Sequence, residues 1–394
     1  MFSDPLQAAK QAAKNGPIQE HITFWLAGDV MTGRGIDQVM AHPCSPELYE
    51  AWVRDAREYV AFAEKINGRL PHPVPPEHIW GEALAEIDKH QPALRLINLE
   101  TAVTTHGHPW PAKAVHYRMN PRHVDALQVA RVDVCSLANN HVLDWGVDGL
   151  CETLQVLQDT GLQTVGAGKD HAAAEAPAIW QTPEGGRWLV FAWATTDSGV
   201  PKPWQATAQR PGIQTLLSLD EHSALQVAQS VARHRQPGDR VIVSLHWGSN
   251  WGWDVPEAQQ TFAHRLIDWG VVDLVHGHSS HHPRPIEVYR GKLIVYGCGD
   301  LINDYEGLGR HENADTGVAC LYFAQVCAQS GELQQLEMQA WTLKKFRLVR
   351  AAPHAQQAFL ELFNTHSAAF KTRLEVQPGG QWTLAWPKPA GLDA

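Results

Sequence analysis

The sequence predicts an α/β fold built on largely buried sheets, and three observations carry that expectation. Short apolar runs of strand type recur along the chain, longer stretches of helical period separate them, and most of the runs are near-continuous in apolar residues rather than alternating. At 394 residues the chain is long enough for two or three average domains, or for one large α/β domain with additions.

In chain order, residues 1–20 form a short leader in which Leu6 to Lys14 has helical character, ended by Asn15-Gly16-Pro17. Strands are expected over Ile22 to Ala27, Leu94 to Leu99, Val132 to Leu137, Trp188 to Trp193, Val241 to Leu245, Val271 to Val275 and Leu293 to Tyr296. Helices are expected over Glu47 to Asn67, Glu77 to His90, Pro121 to Arg131 with Asn120 as its cap, and Pro256 to Trp269 with proline in the first turn. Pro71 to Pro76 is a rigid connector. Towards the end, VACLYFAQV and LEMQAWTLKKF read as strands, AQQAFLELFNTHSAAF as a helix and QWTLAW as a short last strand. No repeat, low-complexity tract or long linker interrupts the pattern. The expected organisation is therefore a leader at 1–20, one main domain at 21–350 and a C-terminal extension at 351–394 packed on it.

Composition narrows the function. Apolar residues make up 44% of the chain and charged residues 19%, with 16 Trp, so a folded core is assured. A formal charge of -10 has the wrong sign for binding nucleic-acid phosphates or anionic lipid. Cys44, Cys135, Cys151, Cys298, Cys320 and Cys327 contain no C-x-x-C pair and read as reduced thiols. With no signal-peptide pattern and no membrane segment, a cytoplasmic protein is expected.

The chemistry lies at the strand ends. ITFWLAG runs into Asp29, LRLIN into Leu99-Glu100, VCSLAN into Asn140-His141, VIVSL into His246-Trp247-Gly248, VVDLVHG into His278, and LIVYGCG into Asp300. Loops at the carboxyl ends of strands converge on one edge of an α/β sheet, where ligands bind. Imidazole, carboxylate and amide oxygen are donors suited to Zn, Mn, Fe or Mg. An isolated strand-end histidine in a chain with 22 of them is usually structural, so the case rests on recurrence.

Three segments refine it. In LANNHVLDWG, Asn140 can offer its amide oxygen to a metal, His141 can act as general acid or base, and Asp144 can hold the second imidazole nitrogen; Asn and Asp making turn hydrogen bonds is the structural alternative. In VHGHSSHHPRPIE, His278 and His281 are the chosen ligands, with His276 ending the strand and His282 outside the site. In SLHWGSNWGWD, Trp251 and Trp253 either fill the core or wall a pocket; Trp247, Trp251 and Asp300 are assigned to substrate contact. Arg34, in the glycine-rich stretch Gly28 to Gly35, can pin an anionic group or be an ordinary arginine. That stretch lacks the Lys-Ser/Thr of a P-loop.

Taken together, GDVMTGR, INLETAV, NNHVLDWG, GAGKD, HWGSNW, GHSSH and KLIVYGCGDLIND resemble the CapA family of poly-γ-glutamate (capsule) biosynthesis proteins, placed among the calcineurin-like metallo-dependent phosphatases. The resemblance runs from about residue 22 to about 305. It implies a four-layer α-β-β-α sandwich of the metallophosphatase type with a small C-terminal extension, and a centre of one or two divalent metal ions (Mn, Zn, Fe or Mg). It matches Asp29 to the first-motif carboxylate, Glu100 to the acidic residue that bridges two metals, Asn140 to the amide ligand, His141 to the acid/base, and His246, His278 and His281 to the later ligands. The chain departs from the pattern at Met31, where typical members of that superfamily carry Asp-x-His, which leaves one metal site short of a donor. It departs again at Gly299-Asp300-Leu301, where a Gly-Asn-Phe type turn is more usual.

The expected activity is metal-assisted hydrolysis of a phosphoester or of a glutamyl or peptide-type amide. In that scheme His141 protonates the leaving group and Arg34 holds anionic charge. The rivals are a metal-independent epimerase or lyase working through His141, Asp144, His278 and Asp300, and a non-enzymatic accessory protein of polymer synthesis. The expected partner is a small-molecule, glutamyl-polymer or peptide substrate, with no nucleic acid and no membrane.

Overall fold

A computed structural model describes residues 21–182, 185–308 and 317–388. The leader at 1–20 and the helix expected over Leu6 to Lys14 lie outside the described residues.

Two large mixed sheets organise the α/β fold. In the ten-stranded sheet, His21–Val30 is central, parallel to Leu94–Leu99 on one side and antiparallel to Ala319–Cys327 on the other. Val134–Ser136 and Gln163–Val165 continue the parallel half, while Leu333–Leu343, Trp382–Ala385 and Arg373–Val376 continue the antiparallel half. In the seven-stranded sheet, Arg187–Thr195, Arg240–His246, Leu274–His278 and Lys292–Val295 run parallel in that order. Parallel strands need covered faces, which is why their sequences carry so few polar residues.

The pleat sorts side chains between layers. Trp188, Val190 and Ala192 join Phe24, Leu26 and Leu96 of the other sheet in one buried cluster, with the Phe24 and Trp188 rings edge to face at 4.8 Å. The intervening Leu189, Phe191 and Trp193 pack instead with Val227 and Val231 of helix Glu221–His234 and with Phe262 and Leu266 of helix Glu257–Asp268. The two sheets thus share a core, and helices cover the far face of the second.

Several expected elements shift. The helix predicted over Glu47 to Asn67 spans Arg57–Asn67 only, because Glu47 and Asp55 pair as an antiparallel bridge and Glu50 turns its carboxylate inward to a buried ion pair with Arg34. The helix predicted over Glu77 to His90 divides into Pro76–Trp80 and Ala83–Lys89. Gly81 separates them with φ 48, and a Cβ there would lie 2.2 Å from the carbonyl oxygen of Leu348. Pro121 to Arg131 also divides, into Pro121–His123 and Asp125–Val129, and Asn120 Oδ1 accepts from the Arg122 amide at the first turn. The strand expected to end at Val275 instead runs Leu274–His278, so that His278, not His276, is its last residue. All six cysteines are unpaired, and Cys135 and Cys320 are buried. Among the described residues no helix is long and apolar enough to cross a membrane.

Candidate metal centre

Strand ends deliver the donors. Asp29 lies near the end of His21–Val30, His246 ends Arg240–His246, and His278 ends Leu274–His278 directly beside it in register. Asp300 opens a short strand that runs parallel to the first, paired Asp29 to Asp300. Ligand atoms of Asp29, His246 and His278 all lie within 4.8 Å of one another, as do those of Asp29, His281 and Asp300. Asp29 belongs to both groups.

In the first group all three residues are fully buried; His278 Nδ1 stands 3.8 Å from Asp29 Oδ1 and 2.9 Å from His246 Nδ1. A hydrogen-bond chain sets the tautomer of His278. His276 Nε2 donates to the carbonyl oxygen of Ala27 at 2.9 Å, so in a neutral ring its Nδ1 accepts from Ser244 Oγ at 3.0 Å. The hydroxyl oxygen then accepts from His278 Nε2 at 2.8 Å. His278 Nδ1 is left with the ring's lone pair, which accepts from His246 Nδ1 at 2.9 Å and faces Asp29 Oδ1 at 3.8 Å; an unprotonated imidazole nitrogen is the form that ligates a metal. Ser244 and His276 were not selected from sequence as parts of the site.

Amide side chains knit the carboxylates together. Asn98 Nδ2 donates to Asp29 Oδ1 at 2.8 Å and to Glu100 Oε2 at 3.0 Å, while its Oδ1 accepts from Asn139 Nδ2 at 3.0 Å. Asn139 Oδ1 in turn accepts from the amides of His141 and Val142. Glu100 stands 3.8 Å from His141 Nε2 and 4.0 Å from His246 Nδ1. Asp29 is common to both donor groups, and Glu100, which the resemblance casts as the bridge, shares the Asn98 amide with it.

The electrostatics ask for a cation. Burial, then the adjacent Asp300, raises Asp29 to about 7; burial, then Asp29, lifts Glu100 well above the usual carboxylate range. Burial pushes His246 and His278 well down, so both rings are neutral. Asp29 Oδ2, Asn140 Oδ1 and His246 Nε2 are buried with no hydrogen-bond partner. Buried polar atoms are rarely left so. Carboxylates and neutral imidazoles make a donor set that fits a divalent ion.

Beside this lies a second unit. Asp144 Oδ2 is 2.6 Å from His141 Nδ1 and also accepts from the Tyr117 amide; Asp144 Oδ1 accepts from Lys113 Nζ at 2.5 Å. Burial, the largest influence, lowers His141 to about 4, and the partners of Asp144 keep its carboxylate ionised. A neutral His141 that donates from Nδ1 presents a free Nε2 lone pair towards Glu100: a base as the structure stands, and an acid only after it has taken a proton. Lys113, 3.3 Å from His141 Nδ1, sits in a loop with no motif, and nothing in its sequence surroundings singles it out.

Other expected roles change. The Arg34 guanidinium is buried and donates to Asp304, Glu50 and Tyr59, with its carbon 4.0 Å from the Tyr59 ring centre, so it is bound within the protein rather than offered to a substrate anion. Trp247 is fully buried and donates from Nε1 to the Tyr296 carbonyl, which makes it core and not a substrate contact. Trp253 is likewise buried, against Phe359 and His366. Trp251 is half-buried, its ring 5.3 Å from that of His281 at the edge of the second donor group. Met31 is buried, and its sulfur accepts from the Tyr305 hydroxyl at 3.6 Å.

Fold and site together define an α/β protein with a buried carboxylate–imidazole centre at the carboxyl ends of its parallel strands. The chain belongs to the family of the bacterial capsule synthesis protein PGA_cap, whose profile matches residues 23–305. It is 45% identical over 358 residues to the "Probable polyglutamine synthesis accessory protein" of Mycobacterium tuberculosis (strain H37Rv), covering 91% of this chain and 94% of that one. It is 25% identical over 320 residues to the capsule biosynthesis protein CapA of Bacillus anthracis, covering 79% and 69% of the two chains. To the PGA biosynthesis protein CapA of Bacillus subtilis (strain 168) it is 31% identical over 192 residues, 49% and 48% of the chains.

Proposed function

We propose that this protein is a metal-dependent hydrolase serving poly-glutamate metabolism, with a glutamyl-polymer or peptide-type amide as substrate and a phosphoester as the alternative the superfamily resemblance allows. One observation carries the reading: Asp29 belongs to two groups of three potential ligands each, and its Oδ2 is buried with no hydrogen-bond partner. Asp29, His246 and His278 would hold an ion, with Glu100 and Asn140 beside it. A divalent ion there supplies Lewis acidity and makes water acidic enough to ionise near neutral pH.

The protein's own groups do the rest. His141 Nε2 takes a proton and returns it to the leaving group, Asp144 and Lys113 hold the imidazole in one orientation, and Trp251 walls the entrance. Relatives named for polyglutamine and capsule synthesis support the substrate class, and the word "accessory" in one of those names suits an enzyme that trims or releases a chain made elsewhere. We read residues 21–350 as the functional unit, a four-layer sandwich, with 351–394 as its buttress.

The test combines metal analysis with a substrate screen. Protein purified without a His tag should carry or take up at least one equivalent of Mn or Zn. It should then hydrolyse γ-glutamyl peptides or generic phosphoesters, losing about 100-fold or more in rate in His246→Ala and Asp29→Asn. Failure to bind any of Mn, Zn, Fe or Mg would end the proposal.

A further inference from the structure

Asp300 is the one buried carboxylate of the centre that neither the resemblance nor the hydrolytic scheme uses as a ligand. Its place is set by main chain. The Asp29 amide donates to the Gly299 carbonyl at 3.1 Å, and a Cβ on Gly28 would fall 1.9 Å from that oxygen, so only glycine lets the two backbones approach this closely. Gly299 itself turns with φ 76 against the backbone of Pro283. These contacts seat Asp300 beside Asp29 on one side and His281 on the other.

The side chain is then aimed. Asn303 Nδ2 donates to Asp300 Oδ2 at 2.9 Å, and His281 Nδ1 lies 2.8 Å from Asp300 Oδ1. Two carboxylates, 0% and 6% exposed, abut across a parallel ladder. Such an arrangement is costly without a cation between them. Met31, two residues beyond Asp29, offers only a thioether that is already engaged by Tyr305.

We propose that Asp300 is a metal ligand: with His281 and Asp29 it forms a second, oxygen-rich divalent-cation site that shares Asp29 with the His246–His278 site and supplies the donor that Met31 withholds. This rests on the metal-centre reading above and assigns its second half. Two carboxylates and one imidazole make a harder donor set than one carboxylate and two imidazoles, so this site prefers Mn or Mg where the other accepts Zn.

Calorimetric titration of chelator-stripped full-length protein with Mn, read together with electron paramagnetic resonance, tests it. Wild-type protein should bind two equivalents with the exchange-broadened spectrum of two Mn ions sharing a ligand. Asp300→Ala, and Asp300→Asn to keep the shape, should keep one equivalent, lose the other by about 100-fold or more in affinity and show the uncoupled hyperfine pattern of single Mn. The equivalent that remains reports that the variants are folded. Two equivalents bound by Asp300→Ala as tightly as by wild type would overturn the assignment, as would a single equivalent in wild type, and in both cases the metal-centre reading survives. Wild type binding no ion would instead remove that reading, and this assignment with it.

Discussion

At the scale of single residues, Ser244 shows how a group that touches no substrate can decide what a ligand presents. Its hydroxyl stands between His276 Nδ1 and His278 Nε2, and the carbonyl of Ala27 at the far end of the chain determines the direction of every bond in it. Ser244→Ala removes the acceptor for His278 Nε2–H and frees the ring to take the other tautomer. Metal affinity at the His246–His278 site should fall about 10- to 100-fold while the equivalent bound through Asp300 is unchanged, both read by calorimetry. Wild-type affinity at both sites would show that strand geometry alone orients the imidazole. Asp29, His246 and His278 were legible because each comes after an apolar run, which puts it at a strand's carboxyl end whatever the details of packing. Asn98, Lys113 and Ser244 were not, since their roles depend on register between strands and on a loop, neither of which leaves a local pattern. Arg34 misled for a related reason: a guanidinium after a glycine-rich turn looks available until Glu50, Tyr59 and Asp304 arrive from distant parts of the chain.

Whole elements show the same division between local and distant causes. Most central strands lay where apolar runs placed them, whereas the helix expected from Glu47 failed in its first half because a buried partner for Glu50 outweighed helical period. The C-terminal helix Pro353–Ser367 illustrates tertiary packing that period alone cannot specify. Its Phe359 stacks on Trp382 at 5.2 Å and meets Trp253 at 6.1 Å, so it joins the last strand of the ten-stranded sheet to the tryptophan-rich segment after His246. Phe359→Ala empties a fully buried ring site. A loss of about 3–5 kcal/mol in the free energy of unfolding is expected in urea. Because Trp253 would lose part of its support, mobility should appear around Trp251 and His282, seen as faster hydrogen exchange over residues 249–254. A loss below about 1 kcal/mol would mean the extension is only loosely docked.

For the molecule as a whole, the balance of buried titratable groups sets how stability varies with pH. Burial lowers His141, His276 and His282 to about 4 and holds His246 and His278 well below the ordinary value, so each ring stays neutral in the folded protein while the unfolded chain protonates it near the ordinary 6.5. Their contribution is complete above pH 6.5 and is lost as pH falls towards 4, at roughly 1.4 kcal/mol per pH unit for each proton taken up on unfolding. Asp29, raised to about 7, and Glu100, raised in the same direction, act oppositely: folding keeps their protons on, which favours the folded state as pH drops below 7. Counting His78 as well, six lowered histidines outnumber the four raised carboxylates Asp29, Glu100, Asp133 and Glu306, so in chelator the melting temperature should fall on acidification from pH 6.5 to 4.5. Added Mn should raise it most between pH 7 and 8 and barely at pH 5, since ion and protons compete for the same lone pairs. A melting temperature that climbs on acidification without metal would show that these imidazoles are not kept neutral in the folded protein, and a Mn-induced rise that persists at pH 5 would show that burial does not keep protons on Asp29 and Glu100.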